Sequence, residues 1–348
     1  MIVLVSLNTP ITIKGLQLKN RIVMAPMCQY SVTAKDGKPN DWHFVHYISR
    51  AVGGTGLIIV EMTNVEPDGR ITDHCLGLWS DDHIPAFKRI VDGVHEQGAK
   101  IGIQIAHAGR KAQDALQPVA PSPIPYPTSK GSKPYRTPKQ LTVDEIKELV
   151  EKFKQAARRA VEAGFDTIEL HGAHGYLLHQ FMSPSINVRT DEYGQDLAKF
   201  GVEVIEAVKS VMPEDMPLLM RMSAVEYMDG GYSIDHAIEL AKRFKEAGVD
   251  VFHVSSGGEA PPGKNRPGNY PGFQVPFARK FKEELGVPVI AVGILENPRV
   301  AEYVLKSGDA DLIAIGRGML DDPYWAIHAI KETTGEVLPP KQYERGIR

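Results

Sequence analysis

Short β-rich apolar runs alternate with longer amphipathic stretches along the whole 348-residue chain, and this alternation limits the fold more than any other feature. Strands are predicted at Ile22–Met27, Leu57–Met62, Lys100–Ala106, Thr167–His171, Leu218–Ser223, Val251–Ser255, Val289–Val292 and Leu312–Ile315. Runs such as Leu57–Met62 are continuously apolar, as strands buried on both faces are. Helices are predicted at Trp42–Val52, Asp82–Gln97, Val143–Ala163, Leu197–Val211, Ser233–Ala247, Val275–Leu285, Pro298–Lys306 and Pro323–Lys331. Thr142 stands three residues before Glu145, the spacing of a capping box at a helix start. Gly164, Gly248, Gly286 and Gly308 each separate a helix from the next strand, where a left-handed cap is expected. Eight such units are the count of a (β/α)₈ TIM barrel. A doubly wound open sheet needs no eighth unit and usually carries G-x-G-x-x-G after its first strand, which is absent here. The length alone permits two ordinary domains or one enlarged barrel. The unit count selects a single barrel domain over residues 1–348.

Three segments fall outside the repeating units. Within residues 1–20, Ile11–Ile13 and Leu16–Leu18 flank Lys14-Gly15, a hairpin expected to close the bottom of the barrel. Residues 108–141 are proline-rich and long for a loop in a compact domain, which points to a capping lid after the third strand. Residues 333–348 form a C-terminal tail.

Composition narrows the function. Forty basic against 43 acidic residues give a net charge of −3, which supplies no pull toward nucleic acid or a lipid surface. The two cysteines, Cys28 and Cys75, are too few for a disulfide scaffold, a Cys₄ zinc site or a Cys-ligated iron–sulfur cluster. No run of about 20 apolar residues spans a membrane, and the N-terminus lacks the basic start and small-residue cleavage site of a signal peptide. A cytoplasmic enzyme is the expected class.

In a barrel, active residues gather at the C-terminal ends of the strands. The last two ends carry Gly293 and Gly316-Arg317, in the loops where barrels commonly hold phosphate. There, glycine lets backbone N–H groups approach an anion and arginine pairs with it bidentately. These residues imply a phosphorylated ligand, substrate or cofactor. The fourth strand ends in His171, His174 and Tyr176. No third ligand of the HExxH type follows, so a metal is not expected. Neutral imidazoles instead donate hydrogen bonds to an oxygen that gains charge, with a tyrosine nearby as proton donor.

These motifs resemble the old yellow enzyme family of FMN-dependent ene-reductases, and within it the thermophilic-like class. The resemblance is carried by Leu18-Lys19-Asn20-Arg21-Ile22, Ala25-Pro26-Met27-Cys28, Gln104-Ile105-Ala106-His107-Ala108-Gly109-Arg110-Lys111, and His171-Gly172-Ala173-His174-Gly175-Tyr176. Arg189 to Gly194, Ala310 to Arg317 and Gln342-Tyr343-Glu344-Arg345 complete it. It implies FMN as cofactor and NADPH or NADH as reductant. Arg317, Gly293 and Gly316 would hold the phosphate, Gln104 and Arg221 the pyrimidine edge of the flavin, and Ala25, Pro26, Met27, Cys28 and Met62 its ring. Cys28 would modulate the flavin, whereas Cys75 is filler. His171 and His174 would bind the oxygen of an activated alkene (an enone, enal, maleimide or nitroalkene). Hydride would pass from flavin N5 to the β-carbon while Tyr176 protonates the α-carbon. Tyr30 and Lys111 would border the substrate. Arg345 would reach a neighbouring subunit's site in a homodimer or homotetramer.

Two departures from the family pattern stand out: a shortened Gln195–Phe200 segment, and Met62 where a smaller residue is usual. The competing readings are a barrel aldolase or isomerase acting on a phosphorylated substrate, and a non-catalytic flavin-binding protein. The first would need a strand-end Lys or carboxylate base, and Glu61 and Glu169 lie within runs rather than at ends.

Overall fold

The computed structural model describes residues 5–128, 134–261, 268–336 and 339–347. Residues 1–4 of the N-terminal segment, 129–133 of the lid, 262–267 of the Gly/Pro-rich loop, and 337–338 and 348 of the tail lie outside the described residues.

Among the described residues there are twelve strands: β1 (Ile11–Ile13), β2 (Leu16–Leu18), β3 (Ile22–Met24), β4 (Leu57–Asn64), β5 (Lys100–Ala106), β6 (Val119–Ala120), β7 (Lys139–Gln140), β8 (Thr167–Gly172), β9 (Leu218–Ser223), β10 (Val251–Ser255), β11 (Val289–Ala291) and β12 (Leu312–Ile315). Eight of them close a parallel barrel in the order β3-β4-β5-β8-β9-β10-β11-β12, with β12 returning to pair with β3. The fold is the expected (β/α)₈ barrel. Its helices are α1 (Asp41–Val52), α2 (Ile84–Glu96), α3 (Val143–Glu162), α4 (Leu177–Met182), α5 (Glu192–Gln195), α6 (Lys199–Lys209), α7 (Ile234–Ala247), α8 (Val275–Leu285), α9 (Pro298–Lys306), α10 (Arg317–Asp321) and α11 (Trp325–Thr334).

The ends of the expected strands and helices fall within three residues of expectation, and two of the shifts, at β3 and β4, have local reasons. β3 stops at Met24 instead of Met27: Ala25 still donates to Ile315 O at 3.0 Å, but Pro26 has no N–H with which to continue. β4 runs on to Asn64 through a bulge between Val60 and Thr63, which bends the strand where it enters the site. In the shortened 195–200 segment, the Asp196 carboxylate accepts from Ala198 N at 3.0 Å and pairs with Arg243, and α6 begins at Lys199. The capping box at Thr142 and Glu145 is formed, and so sets the start of α3.

Two apolar layers hold the barrel. Outward residues such as Ile58, Val60, Ile101, Ile103, Ile168 and Leu170 share one core with Phe87, Phe153, Phe200 and Phe244 of the helices. Inward residues Val23, Leu57, Ile59, Leu219, Val251, Ile290 and Leu312 form a second core, which the β1–β2 hairpin caps with Ile13, Leu16 and Leu18. The hairpin therefore plugs the bottom, and the polar inward positions are confined to the upper half. Among the described residues, no helix is long and apolar enough to cross a membrane.

Candidate active site

The end of β8 organises the site. His171 lies on the strand, His174 in the following turn, and Tyr176 at the N-cap of α4. The His171 ring stands perpendicular to His174 at 5.2 Å between centroids, and edge-on to Tyr176 at 4.8 Å. His174 adopts φ +59, a left-handed conformation that costs a non-glycine residue of order 1–3 kcal/mol unless its surroundings over-determine it. Here they do. His174 N donates to Ser223 Oγ at 3.1 Å, its O accepts from Lys111 Nζ at 2.8 Å, and its Nε2 lies 2.6 Å from Ser255 Oγ. The turn also packs backbone to backbone against the loop after β10. A Cβ on Gly175 would stand 2.3 Å from Gly258 O, and one on Gly258 would stand 2.3 Å from His174 Cα. Only glycine fits either position.

Burial, with the Arg221 guanidinium nearby, holds both imidazoles well below their ordinary range, so they are neutral. His171 Nδ1 accepts from Ala173 N at 3.4 Å, which assigns its proton to Nε2 and makes that atom a donor. Burial pushes the Tyr176 phenol well above its ordinary value, so it keeps its proton. Its hydroxyl has no hydrogen-bond partner among the described residues. Burial pulls the Lys111 ammonium down to about 8. Its Nζ lies 4.9 Å from the Tyr176 ring centroid and 4.5 Å from that of Tyr126, and it also donates to Gly258 O at 3.2 Å.

Below this group, Gln104 and Arg221 point into the barrel from β5 and β9, both buried. Arg221 pairs with no carboxylate, and its Nε has no partner among the described residues. On the opposite side, Cys28 and Tyr176 pack against a cluster containing Met62, Cys75, Ala106 and Ala108. Burial, then the Glu61 carboxylate, raise the Cys28 thiol well above its ordinary value, so it is a neutral thiol and not a nucleophile. Ala25 and Pro26 are buried, and Met27 lies beside Gly316. Gly293, two residues past the end of β11, has φ +130; Arg317 is exposed at the start of α10 and carries no ion pair among the described residues. Tyr30 is half exposed at the rim, with φ +52. Arg345 is exposed on the tail and makes no hydrogen bond or ion pair with these groups.

Several participants had no signal in the sequence. Tyr126 lies in the proline-rich loop. Ser223 and Ser255 end strands as ordinary polar residues, although both follow the two-residue inward period of β9 and β10. Behind the turn, Arg110 and Glu259 form a fully buried ion pair at 2.7 Å. His179, Glu226 and Glu259 also lie close enough together to suggest a metal. Both His179 nitrogens are spent, however: Nδ1 accepts from Gly175 N at 2.8 Å, and Nε2 donates to Tyr232 Oη at 2.7 Å, which itself donates to Ser223 O. That leaves no imidazole lone pair for an ion.

Residues 6–335 match a protein family described as the NADH:flavin oxidoreductase / NADH oxidase family. The chain is 50% identical over 343 residues to an NADPH dehydrogenase of Bacillus subtilis (strain 168), covering 98% of each chain. Among solved structures it is similar to morphinone reductase, with a TM-score of 0.81 and 29% identity over 97% of this chain and 91% of that one. The old yellow enzyme homologue from Zymomonas mobilis gives 0.81 and 28% identity over 96% and 94%.

Proposed function

The chain belongs to the NADH:flavin oxidoreductase / NADH oxidase family, that of the old yellow enzymes, and from that premise we propose that it reduces the carbon–carbon double bond of activated alkenes. It is an oxidoreductase that uses FMN and NAD(P)H. The residues present fit FMN. A buried guanidinium with no ion pair among the described residues, Arg221, suits an electron-rich ring edge, and Arg317, which follows Gly316 and carries no ion pair among the described residues, suits a phosphate together with Gly293 of the neighbouring loop. A Cβ at Gly316 would meet only Met27 Sδ, at 3.6 Å, so the backbone there is open to a ligand. Gln104 would join Arg221, with Ala25, Pro26, Met27, Cys28 and Met62 lining the ring.

When bound, FMN supplies the two-electron chemistry, taking hydride from NAD(P)H and delivering it to the alkene β-carbon. The chain supplies the rest. Neutral His171, oriented by Ala173 N, donates from Nε2, and neutral His174 donates from Nδ1 while its Nε2 accepts from Ser255 Oγ; both stabilise the charge that develops on the carbonyl or nitro oxygen. Tyr176, beside His171, holds a proton for the α-carbon. Tyr30 and Lys111 border the substrate, with residues 108–141 as the lid. Arg345 is assigned to the site of a neighbouring subunit in a homo-oligomer. The chain is read as a single barrel domain.

The observation that carries this reading is the set of two neutral imidazoles and one protonated phenol within about one ring's reach of each other. An aldolase would require a strand-end Lys or carboxylate base instead. The test is an anaerobic visible spectrum. Flavin absorbance should bleach with NADPH and return on adding cyclohexenone or maleimide. Bleaching that no activated alkene reverses would refute alkene reduction.

A further inference from the structure

The inward faces of the strands change character halfway up the barrel. Leu219 and Val251 belong to the apolar lower core. Two residues further along, β9 and β10 turn Arg221 and His253 inward, as β5 and β8 turn Gln104 and Glu169. Glu169 and His253 are fully buried, and a carboxylate in such a place is costly unless it is paired and hydrogen-bonded. Glu169 meets both conditions. Oε1 accepts from Gln104 Nε2 at 2.7 Å, and Oε2 lies 2.7 Å from His253 Nδ1. The second bond passes over β9, because His253 and His171 both pair in register with Arg221, whereas Glu169 pairs with Leu219. Gln104 is the direct register partner of Glu169 on the neighbouring strand, and the curl of the sheet brings His253 to Glu169 across β9.

Two consequences follow from donor and acceptor chemistry. A carboxylate oxygen accepts, so the Gln104 amide turns its NH₂ toward Glu169, and its Oε1 is left as the end not engaged by the carboxylate. The same argument protonates His253 at Nδ1, and burial keeps the ring neutral. Glu169 is also the carboxylate whose field acts on Arg221, which has no ion pair of its own. We infer that Glu169, held by His253, is a positioning residue that orients the Gln104 amide and balances the Arg221 charge, thereby setting the reduction potential of bound FMN. This rests on Gln104 and Arg221 holding the flavin.

The test compares the FMN dissociation constant, from fluorescence titration of deflavinated protein, with the midpoint potential from dye equilibration. In Glu169→Gln the Arg221 charge is unopposed, so reduced FMN gains affinity over oxidised FMN. The expected gain is about tenfold, which is about 30 mV more positive for a two-electron couple. His253→Leu removes the Nδ1–H donor that holds the Glu169 carboxylate in place and shifts the potential the same way. His253→Asn, whose Nδ2–H reaches the same oxygen, restores the wild-type value. A folded Glu169→Gln with less than a twofold change in that ratio overturns the inference. So does equal behaviour of the Leu and Asn variants at 253, which decides the matter if Glu169→Gln does not fold. Gln104→Leu separates the two readings: unchanged FMN affinity there sinks the flavin-edge assignment itself, whereas weakened affinity with silent Glu169 and His253 variants sinks only this inference.

Discussion

Replacing Tyr176 by Phe removes one oxygen and leaves the ring where it is. The ring keeps its edge contact with His171 at 4.8 Å and its place under Lys111 at 4.9 Å. The hydroxyl has no protein partner among the described residues, so its loss strands no buried donor or acceptor. Stability should change by less than about 1 kcal/mol. Catalysis should change far more. A positioned general acid is worth roughly 10²–10⁴ in rate, or about 3–5 kcal/mol of barrier at 1.36 kcal/mol per tenfold. Burial holds the phenol proton well above its ordinary pKa, so the wild-type donor stays loaded through neutral and mildly alkaline pH. Stopped-flow measurement of the two half-reactions separates the effects. Bleaching of the flavin by NADPH needs no proton from Tyr176 and should stay within about threefold of wild type, whereas reoxidation by cyclohexenone should slow by about a hundredfold or more. Equal loss in both half-reactions, or an unchanged reoxidation rate, would refute the proton-donor assignment.

Lys111 predicts a pH dependence. Its ammonium is pulled down to about 8, so its charge is lost as pH rises through that value. Reoxidation by alkene should then decline above pH 8 in wild type, and this limb should be absent in Lys111→Met; an identical profile in the variant would refute the link. Breaking the buried Arg110–Glu259 pair by Arg110→Leu leaves a carboxylate without its partner and should cost about 3–5 kcal/mol in denaturant unfolding. Adding Glu259→Leu should recover part of that loss, and strict additivity of the two substitutions would contradict the pairing. Arg345→Ala should raise the alkene KM only if the tail crosses between subunits. An unchanged KM in an assembled oligomer would leave it a solvated tail residue.

Much of this protein was legible in its residues one neighbourhood at a time. Apolar runs, the Thr142–Glu145 capping box and the Lys14-Gly15 hairpin turn depend on residues within a few positions of each other, and they appeared where expected. The β3 and β4 boundaries slipped because a proline without an N–H and a bulge are read by the neighbouring strand, not by the segment itself. The His171, His174 and Tyr176 cluster was visible for the same reason as the strands: one turn of chain holds all three. What lies behind it was not. Glu169 looked like one more residue of a buried run, His253 like another, and Arg110 and Glu259 are 149 positions apart. The two-residue period states that a side chain faces inward but not which side chain it meets across a closed barrel. The sequence determined eight units and gathered His171, His174 and Tyr176 at one strand end, and it supplied the glycines and Arg317 proposed to hold a phosphate. Tertiary closure decided which charges are paired, that His174 is held in a strained turn by Ser223, Ser255 and Lys111, and that Arg221 carries no ion pair among the described residues, because those contacts form only when strands distant in the chain share one interior.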